Sequence, residues 1–179
     1  TSTEDQTGLI AGTYTVLITD GHNCTQELTF VITEPAELLA TETHANISCF
    51  GGNTGSIDVT VTGGTLPYSY NWDDGTTTED RSNLAAGEYT ITITDSCGAV
   101  QTLNITITQS DEIFVTSIIT DLQCNGDGNG EIDITILGGN APFTYAWSNG
   151  ASTEDLTGLS GGTYTVVVTD FTGCSKTEV

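Results

Sequence analysis

A phrase of twelve residues that stands three times in the chain constrains the fold more than any other feature. It reads LIAGTYTVLITD at 9–20, LAAGEYTITITD at 84–95 and LSGGTYTVVVTD at 159–170. Successive copies are 75 residues apart, and the same offset relates the stretch that begins at Cys49 to the one that begins at Cys124. Self-similarity at a fixed period indicates a tandem array of one structural unit.

This period divides the chain into three modules. Residues 1–34 hold the C-terminal part of a first module, residues 35–109 a complete second module, and residues 110–179 a third module that lacks its last strand. The junctions ITEP and ITQS are shorter, and poorer in Gly and Ser, than flexible linkers. We therefore expect a stiff rod in which each module adds about 30 to 40 Å.

Apolar and polar residues alternate in short runs along the complete module. Ile57, Val59 and Val61 form one run, and three similar runs follow it, with glycine-containing turns between them. A period of two is typical of half-buried strands, and no segment has a helical period. The sequence predicts an all-β fold of tandem immunoglobulin-like or PKD-like antiparallel β-sandwiches.

The repeated tyrosines and the two tryptophans are predicted to be structural. Tyr14, Tyr89 and Tyr164 follow a glycine at the start of a strand. This resembles a tyrosine corner, in which the ring packs in the core and the hydroxyl binds nearby backbone. Trp72 and Trp147 share a strand face with other aromatic residues, which favours the core over a carbohydrate-stacking platform. The glycine is expected to adopt a backbone conformation that other residues avoid.

The five cysteines allow two pairing schemes. In the first, Cys49 pairs with Cys97 and Cys124 with Cys174, so that a disulfide within each module stabilises a small domain. Cys24 then lacks a partner within the sequence. In the second, Cys49 reaches Cys174 of the next module, because the first loop and last hairpin of a sandwich lie at opposite ends, beyond the roughly 7 Å limit on Cα separation. We predict the first scheme. A zinc site is disfavoured because no CxxC pair exists.

The stretch GDGNGEID raises a calcium hypothesis. Asp127, Asn129, Glu131 and Asp133 stand at alternating positions, as in the first half of a calcium loop. The distal bidentate glutamate of such a loop is missing, and a plain Asn-Gly hairpin explains the residues better. The aspartates that end the repeated phrase, Asp20, Asp95 and Asp170, are predicted to form turns rather than to bind a ligand.

The charge balance excludes some partners. The formal net charge is −22, from 24 acidic and two basic residues, which repels nucleic acid and anionic lipid. No segment predicts membrane insertion. No nucleophile and base recur at equivalent positions, so we predict neither catalysis nor a bound cofactor. Five cysteines and few lysines fit a secreted or surface protein.

One pattern covers nearly the whole chain. CxGxxxGxIxVxxxGGxxPYxYxWxxG, followed by LxxGxYxVxxTDxxGC and a TITEP-like junction, resembles the SprB-type repeat of cell-surface gliding adhesins of Bacteroidota. The resemblance implies type IX secretion, surface display and a part in adhesion or gliding motility. Cys97 with Ala99, Phe143 in place of a tyrosine, and Gln109-Ser110 at the second junction depart from the pattern.

Two functions from different classes remain open. One is a structural stalk module whose partners are the neighbouring modules of the same chain. The other is a ligand-binding module that recognises extracellular polysaccharide or another surface, and it should repeat an exposed aromatic or calcium-lined patch in every module. The strongest recurrences fall at expected core and turn positions, which favours the stalk.

Overall fold

The computed structural model describes residues 4–124 and 126–179. Within these ranges the chain forms 14 strands, and no helix there is long and apolar enough to cross a membrane. The strands are β1 Gly12–Thr19, β2 Thr25–Ile32, β3 Leu39–Ala45, β4 Gly55–Thr62, β5 Ser69–Trp72, β6 Arg81–Leu84, β7 Gly87–Thr94, β8 Val100–Ile107, β9 Phe114–Thr120, β10 Gly130–Leu137, β11 Thr144–Trp147, β12 Leu156–Leu159, β13 Val166–Thr169 and β14 Ser175–Glu178.

The second module is a sandwich of two three-stranded antiparallel sheets, β3-β4-β6 and β5-β7-β8. Their inner faces meet because alternate side chains of each strand point to the same side. Both sheets supply one core, which contains Ile47, Ile57, Val59, Trp72, Leu84, Ile91, Ile93, Ile105 and Ile107. The prediction of an all-β fold built from antiparallel β-sandwiches is confirmed.

The third module repeats this plan with the sheets β12-β10-β9 and β11-β13-β14. Its core contains Ile113, Ile134, Trp147, Leu156, Leu159, Val166 and Val168. The strand that we predicted to be missing is present in part, since β14 has four residues where β8 has eight. The third module also has an open groove of about 550 Å³, and Val115, Ile132 and Val166 are among the side chains that line it.

The first module is represented by a hairpin. β1 and β2 pair in continuous register from Gly12 with Ile32 to Thr19 with Thr25. Several of its apolar side chains are exposed, among them Val16, Ile18 and Phe30.

Each sandwich has two ends. The hairpin end of the second module holds the turn at 95–99 and the Gly63-Gly64 turn, since the amide of Thr65 donates to Asp95 at 2.8 Å. The loop end holds the loop at 46–54, because the amide of Ile47 donates to the carbonyl of Thr108 at 2.8 Å. The chain enters a module at its hairpin end and leaves at its loop end, so successive modules meet loop end to hairpin end.

Glycine is required at the hairpin end. Gly63 and Gly138, at equivalent positions, have φ of 70° and 69°. A Cβ at either would collide with the carbonyl oxygen of Glu37 or Glu112.

Our expectation for the glycine of the repeated phrase is wrong. Gly87 does not have a left-handed φ, because it already pairs with Ile107 as the first residue of β7. The left-handed residue lies four positions earlier, at Asn83 with φ of 57° and at Gly8 and Gly158 with 69°.

Candidate functional site at the module junction

A disulfide crosses the boundary between the second and third modules. It joins Cys49 to Cys174, with a Cα–Cα distance of 5.4 Å and a sequence separation of 125 residues. Cys24, Cys97 and Cys124 are free and exposed in the described part of the chain. The structure therefore has the intermodular scheme, and our predicted pairs Cys49 with Cys97 and Cys124 with Cys174 are wrong.

The length of the sandwich explains this pairing. Cys49 lies at the loop end, and Cys97 lies in the turn at the hairpin end. The eight-residue strand β7 separates the two ends, and such a strand spans about 27 Å. A disulfide within the module would need a Cα separation below about 7 Å. Cys174 lies at the hairpin end of the next module and thus faces Cys49 directly.

A chain of hydrogen bonds runs beside the disulfide. The Ser110 hydroxyl donates to the carbonyl oxygen of Ser48 at 2.6 Å, and the side-chain amide of Asn140 donates to the Ser110 hydroxyl at 2.9 Å. These two hydrogen bonds connect the second module, the junction and the third module. Sequence analysis did not identify these residues as functional, although Gln109-Ser110 was noted as a departure at this junction.

The junction is also tied back to the loop end of the second module. The side chain of Gln109 accepts a hydrogen bond from the amide of Gly51 at 2.8 Å. The amide of Thr108 donates to the side chain of Asn46 at 2.8 Å. Thr108, Gln109 and Ser110 connect β8 to the third module, and each of them makes a hydrogen bond to the loop end of the second module. The junction is therefore not a free linker.

Asp170 organises the turn that carries Cys174. One carboxylate oxygen accepts from the amides of Thr172 and Cys174, both at 2.9 Å, and the other accepts from the amide of Asn140 at 3.1 Å. Burial acts to raise the pKa of Asp170, but the hydrogen bonds from Thr172, Asn140 and Cys174 outweigh it and hold the pKa below its usual value. The carboxylate thus holds the backbone of Cys174, which forms the disulfide, and the backbone of Asn140, whose side-chain amide donates to Ser110.

Asp95 has the same role in the second module. It accepts from the amides of Cys97 at 2.9 Å, Ala99 at 2.8 Å and Thr65 at 2.8 Å. The predicted turn-forming role of these aspartates agrees with this geometry. The hydroxyl of Thr65, at the position of Asn140, is the buried polar side-chain atom that lacks a hydrogen bond among the described residues.

Both tryptophans lie in the cores, as predicted. Trp72 is 1% exposed and Trp147 is 7% exposed. Each indole N–H donates to a backbone carbonyl of its own module, at 2.8 Å to Thr78 and at 2.9 Å to Thr153. Burial and the satisfied N–H leave neither ring as a platform for a sugar.

The repeated tyrosines adopt the same local arrangement in all three modules. The hydroxyls of Tyr14, Tyr89 and Tyr164 donate to the carbonyl oxygen four residues earlier, at 2.8, 3.0 and 2.9 Å. Their rings are half-buried. This is the geometry that a tyrosine corner predicts.

The residues of the calcium hypothesis are divided between a loop and a strand. Asp127 accepts a hydrogen bond from the amide of Cys124 at 3.0 Å, whereas Glu131 and Asp133 are exposed on β10. Asn129 lies just before that strand. The described residues contain no group of three His, Cys, Asp or Glu side chains that could hold a metal ion.

Comparison with known proteins agrees with the repeat. Two stretches, residues 41–77 and 116–152, match the family model of the SprB repeat. No curated protein matches the chain in sequence. A solved structure described as the structural basis for Dscam isoform specificity is similar over 87% of this chain, with 12% identity and a TM-score of 0.36. The alignment spans half the length of that structure.

Proposed function

Because the chain carries two SprB-type repeats, we propose that it is a stalk segment of a large secreted cell-surface adhesin. The observation that carries this proposal is the disulfide from Cys49 to Cys174, which fastens consecutive modules to each other. A stalk must hold a distant binding region away from the cell and transmit force along its length. A flexible string of separate domains would do neither as well.

The junction supports this role in two ways. The backbone and the disulfide give two covalent connections between the modules, which restrict bending at the junction. In addition, the disulfide encloses 125 residues in a covalent loop. Force applied to the two ends of the chain bypasses this loop, so unfolding of the modules inside it releases little length.

The same features support an extracellular location. Disulfides persist in oxidising environments outside the cytoplasm. The SprB repeat is a feature of surface proteins, and its family context extends the proposal to type IX secretion and to a part in adhesion or gliding motility. The repeat and the sandwich are features of a structural module, and we propose no catalytic activity.

Single-molecule pulling on the full chain, attached through its two ends, tests the stalk proposal. We expect the oxidised chain to unfold with a short extension. Reduction should add about 410 to 450 Å, because 125 residues become free to extend at about 3.3–3.6 Å each. Equal extensions before and after reduction would contradict the proposal.

Matched variants make this experiment specific. Cys49→Ser with Cys174→Ser should extend fully without reductant. Cys97→Ser with Cys124→Ser removes two free thiols and should leave the short extension unchanged. The rival function, polysaccharide binding, is tested with the same protein on a glycan array. Saturable binding there would favour the ligand-binding module over the stalk.

A further inference from the structure

The hairpin turn that follows the repeated phrase carries one cysteine in each of the three modules. The three are Cys24, Cys97 and Cys174, and each of the two glycine-rich loops also carries one, Cys49 and Cys124. Only the middle hairpin has its cysteine two residues earlier than the others, with alanine at the usual place. Cys97 is therefore either a free thiol or a displaced version of the cysteine that forms the intermodular disulfide.

The third module shows where a thiol at this earlier position would lie. Thr172 is equivalent to Cys97, and its hydroxyl lies 3.2 Å from the sulfur of Cys174. That sulfur is bonded to Cys49 and lies 3.2 Å from the carbonyl oxygen of Ser48. The same hydroxyl donates to Oδ1 of Asp170 at 2.8 Å, so a side chain at position 172 lies within the turn, beside the sulfur that is bonded to Cys49.

The two turns also share their backbone arrangement. In the second module the amides of Cys97 and Ala99 donate to one oxygen of Asp95, at 2.9 and 2.8 Å. In the third module the equivalent amides donate to one oxygen of Asp170, both at 2.9 Å. Because the turns agree, the geometry around Thr172 applies to Cys97.

We propose that Cys97 is an intermodular disulfide site whose partner is the loop cysteine of another module of this repeat, docked against the hairpin end of the second module. Cys97 is exposed and available there. Cys124, exposed in the loop of the third module, is the equivalent loop cysteine for a hairpin that docks on that module. The disulfide at 49 and 174 is then one member of a series along the stalk.

The bond forms by oxidation of two thiols. With oxidised glutathione as oxidant, the loop thiol and the Cys97 thiol become one disulfide while the glutathione disulfide is reduced to two glutathione thiols. Two protons leave the cysteines and are taken up by the two glutathione sulfurs. No other co-reactant is needed.

The first test gives the third module the cysteine and alanine positions that Cys97 and Ala99 have in the second. The full chain with Thr172→Cys and Cys174→Ala is reduced, reoxidised with glutathione and digested without reduction. We expect a peptide that links Cys49 to residue 172, as complete as the link to Cys174 in the unmodified chain. The variant Cys174→Ala alone should leave Cys49 open to alkylation. If Cys49 is alkylated equally in both variants, the proposal is wrong.

The second test examines Cys97 itself. In a chain that duplicates residues 35–109 in tandem, the first copy of Cys49 faces Cys97 of the second copy. We expect this disulfide in addition to the link to Cys174. The control carries Cys97→Thr and Ala99→Cys in the second copy, which puts the cysteine at the position that Cys174 has in the third module. A link in the control but a free Cys97 in the test chain would overturn the proposal, as would the absence of a link in both.

Discussion

The hairpin β1–β2 and the hairpin β7–β8 occupy equivalent places in the repeat and share the repeated phrase, yet their surroundings differ. Both are regular antiparallel pairs of eight-residue strands, and both have a tyrosine hydroxyl bonded four residues back. Ile18 is 52% exposed, whereas its equivalent Ile93 is 0% exposed. Phe30 is 56% exposed, whereas Ile105 is 2% exposed.

The difference separates local from tertiary contributions. The repeated phrase forms the turn, the pairing and the tyrosine contact from residues within one hairpin. Burial of its apolar face needs the opposite sheet β3-β4-β6, which packs against β7–β8 in the second module. The phrase is thus a local folding unit, and most of its stabilisation arises when a complete module surrounds it.

The largest test of this comparison removes equivalent side chains from the two hairpins. Ile93→Ala should lower the free energy of unfolding of the second module by about 2–5 kcal/mol, because it leaves a cavity in the core. Ile18→Ala should change stability by less than about 0.5 kcal/mol, because the side chain is already exposed. Native-state hydrogen exchange of the β7 and β1 amides measures both. Equal losses would show that the two hairpins do not differ as described.

A smaller effect is expected from Asp95. Burial acts to raise its pKa, but hydrogen bonds from the amides of Thr65, Ala99 and Cys97 hold the pKa below the ordinary value. A lowered folded-state pKa stabilises the fold above the unfolded value, near pH 4, and this contribution disappears as the pH falls through the folded value. The melting temperature should therefore fall between pH 5 and strongly acidic pH.

The variants Asp95→Asn and Asp20→Asn sharpen this test. Asp95→Asn should lower the melting temperature at neutral pH and weaken its dependence on acid. Asp20 bonds to the amides of His22 and Cys24 within its own turn, so Asp20→Asn should leave melting of the second module unchanged. An acid profile of Asp95→Asn that matches the unmodified chain would refute the role of this carboxylate.

The smallest effect concerns the tyrosine hydroxyls. Tyr89→Phe and Tyr164→Phe should each cost about 1 kcal/mol of unfolding free energy in their own module, which is the net value of one hydrogen bond. Since the contact is local, the two losses should agree even though one module has a complete sheet and the other an open groove. Urea unfolding of the two variants, compared with the unmodified chain, gives both values.

The sequence predicted those parts of the fold that depend on short-range pattern. Alternation identified β4, β5, β7 and β8, and it placed Trp72 in the core. It missed β3 and β6, because LATETHA and RSNL contain few apolar residues and their partners lie elsewhere in the chain. A strand of this kind is defined by pairing rather than by its own period.

The junction was harder to predict for a different reason. Its contacts join residues far apart in sequence, such as Ser48 with Ser110 and Ser110 with Asn140. The cysteine pairing depended on which end of the sandwich each loop occupies. Loops at opposite ends of a sandwich favour the observed scheme, whereas the stabilisation that a disulfide gives to a small domain favours the intramodular pairs that we predicted.

Peptide mapping without reduction tests the covalent junction most directly. Cleavage after glutamate places the five cysteines on separate peptides, residues 5–27, 43–79, 89–112, 113–131 and 155–178. We expect the peptide of Cys49 to be linked to the peptide of Cys174, with the other three cysteines alkylated. A link between Cys49 and Cys97, or between Cys124 and Cys174, would contradict the account.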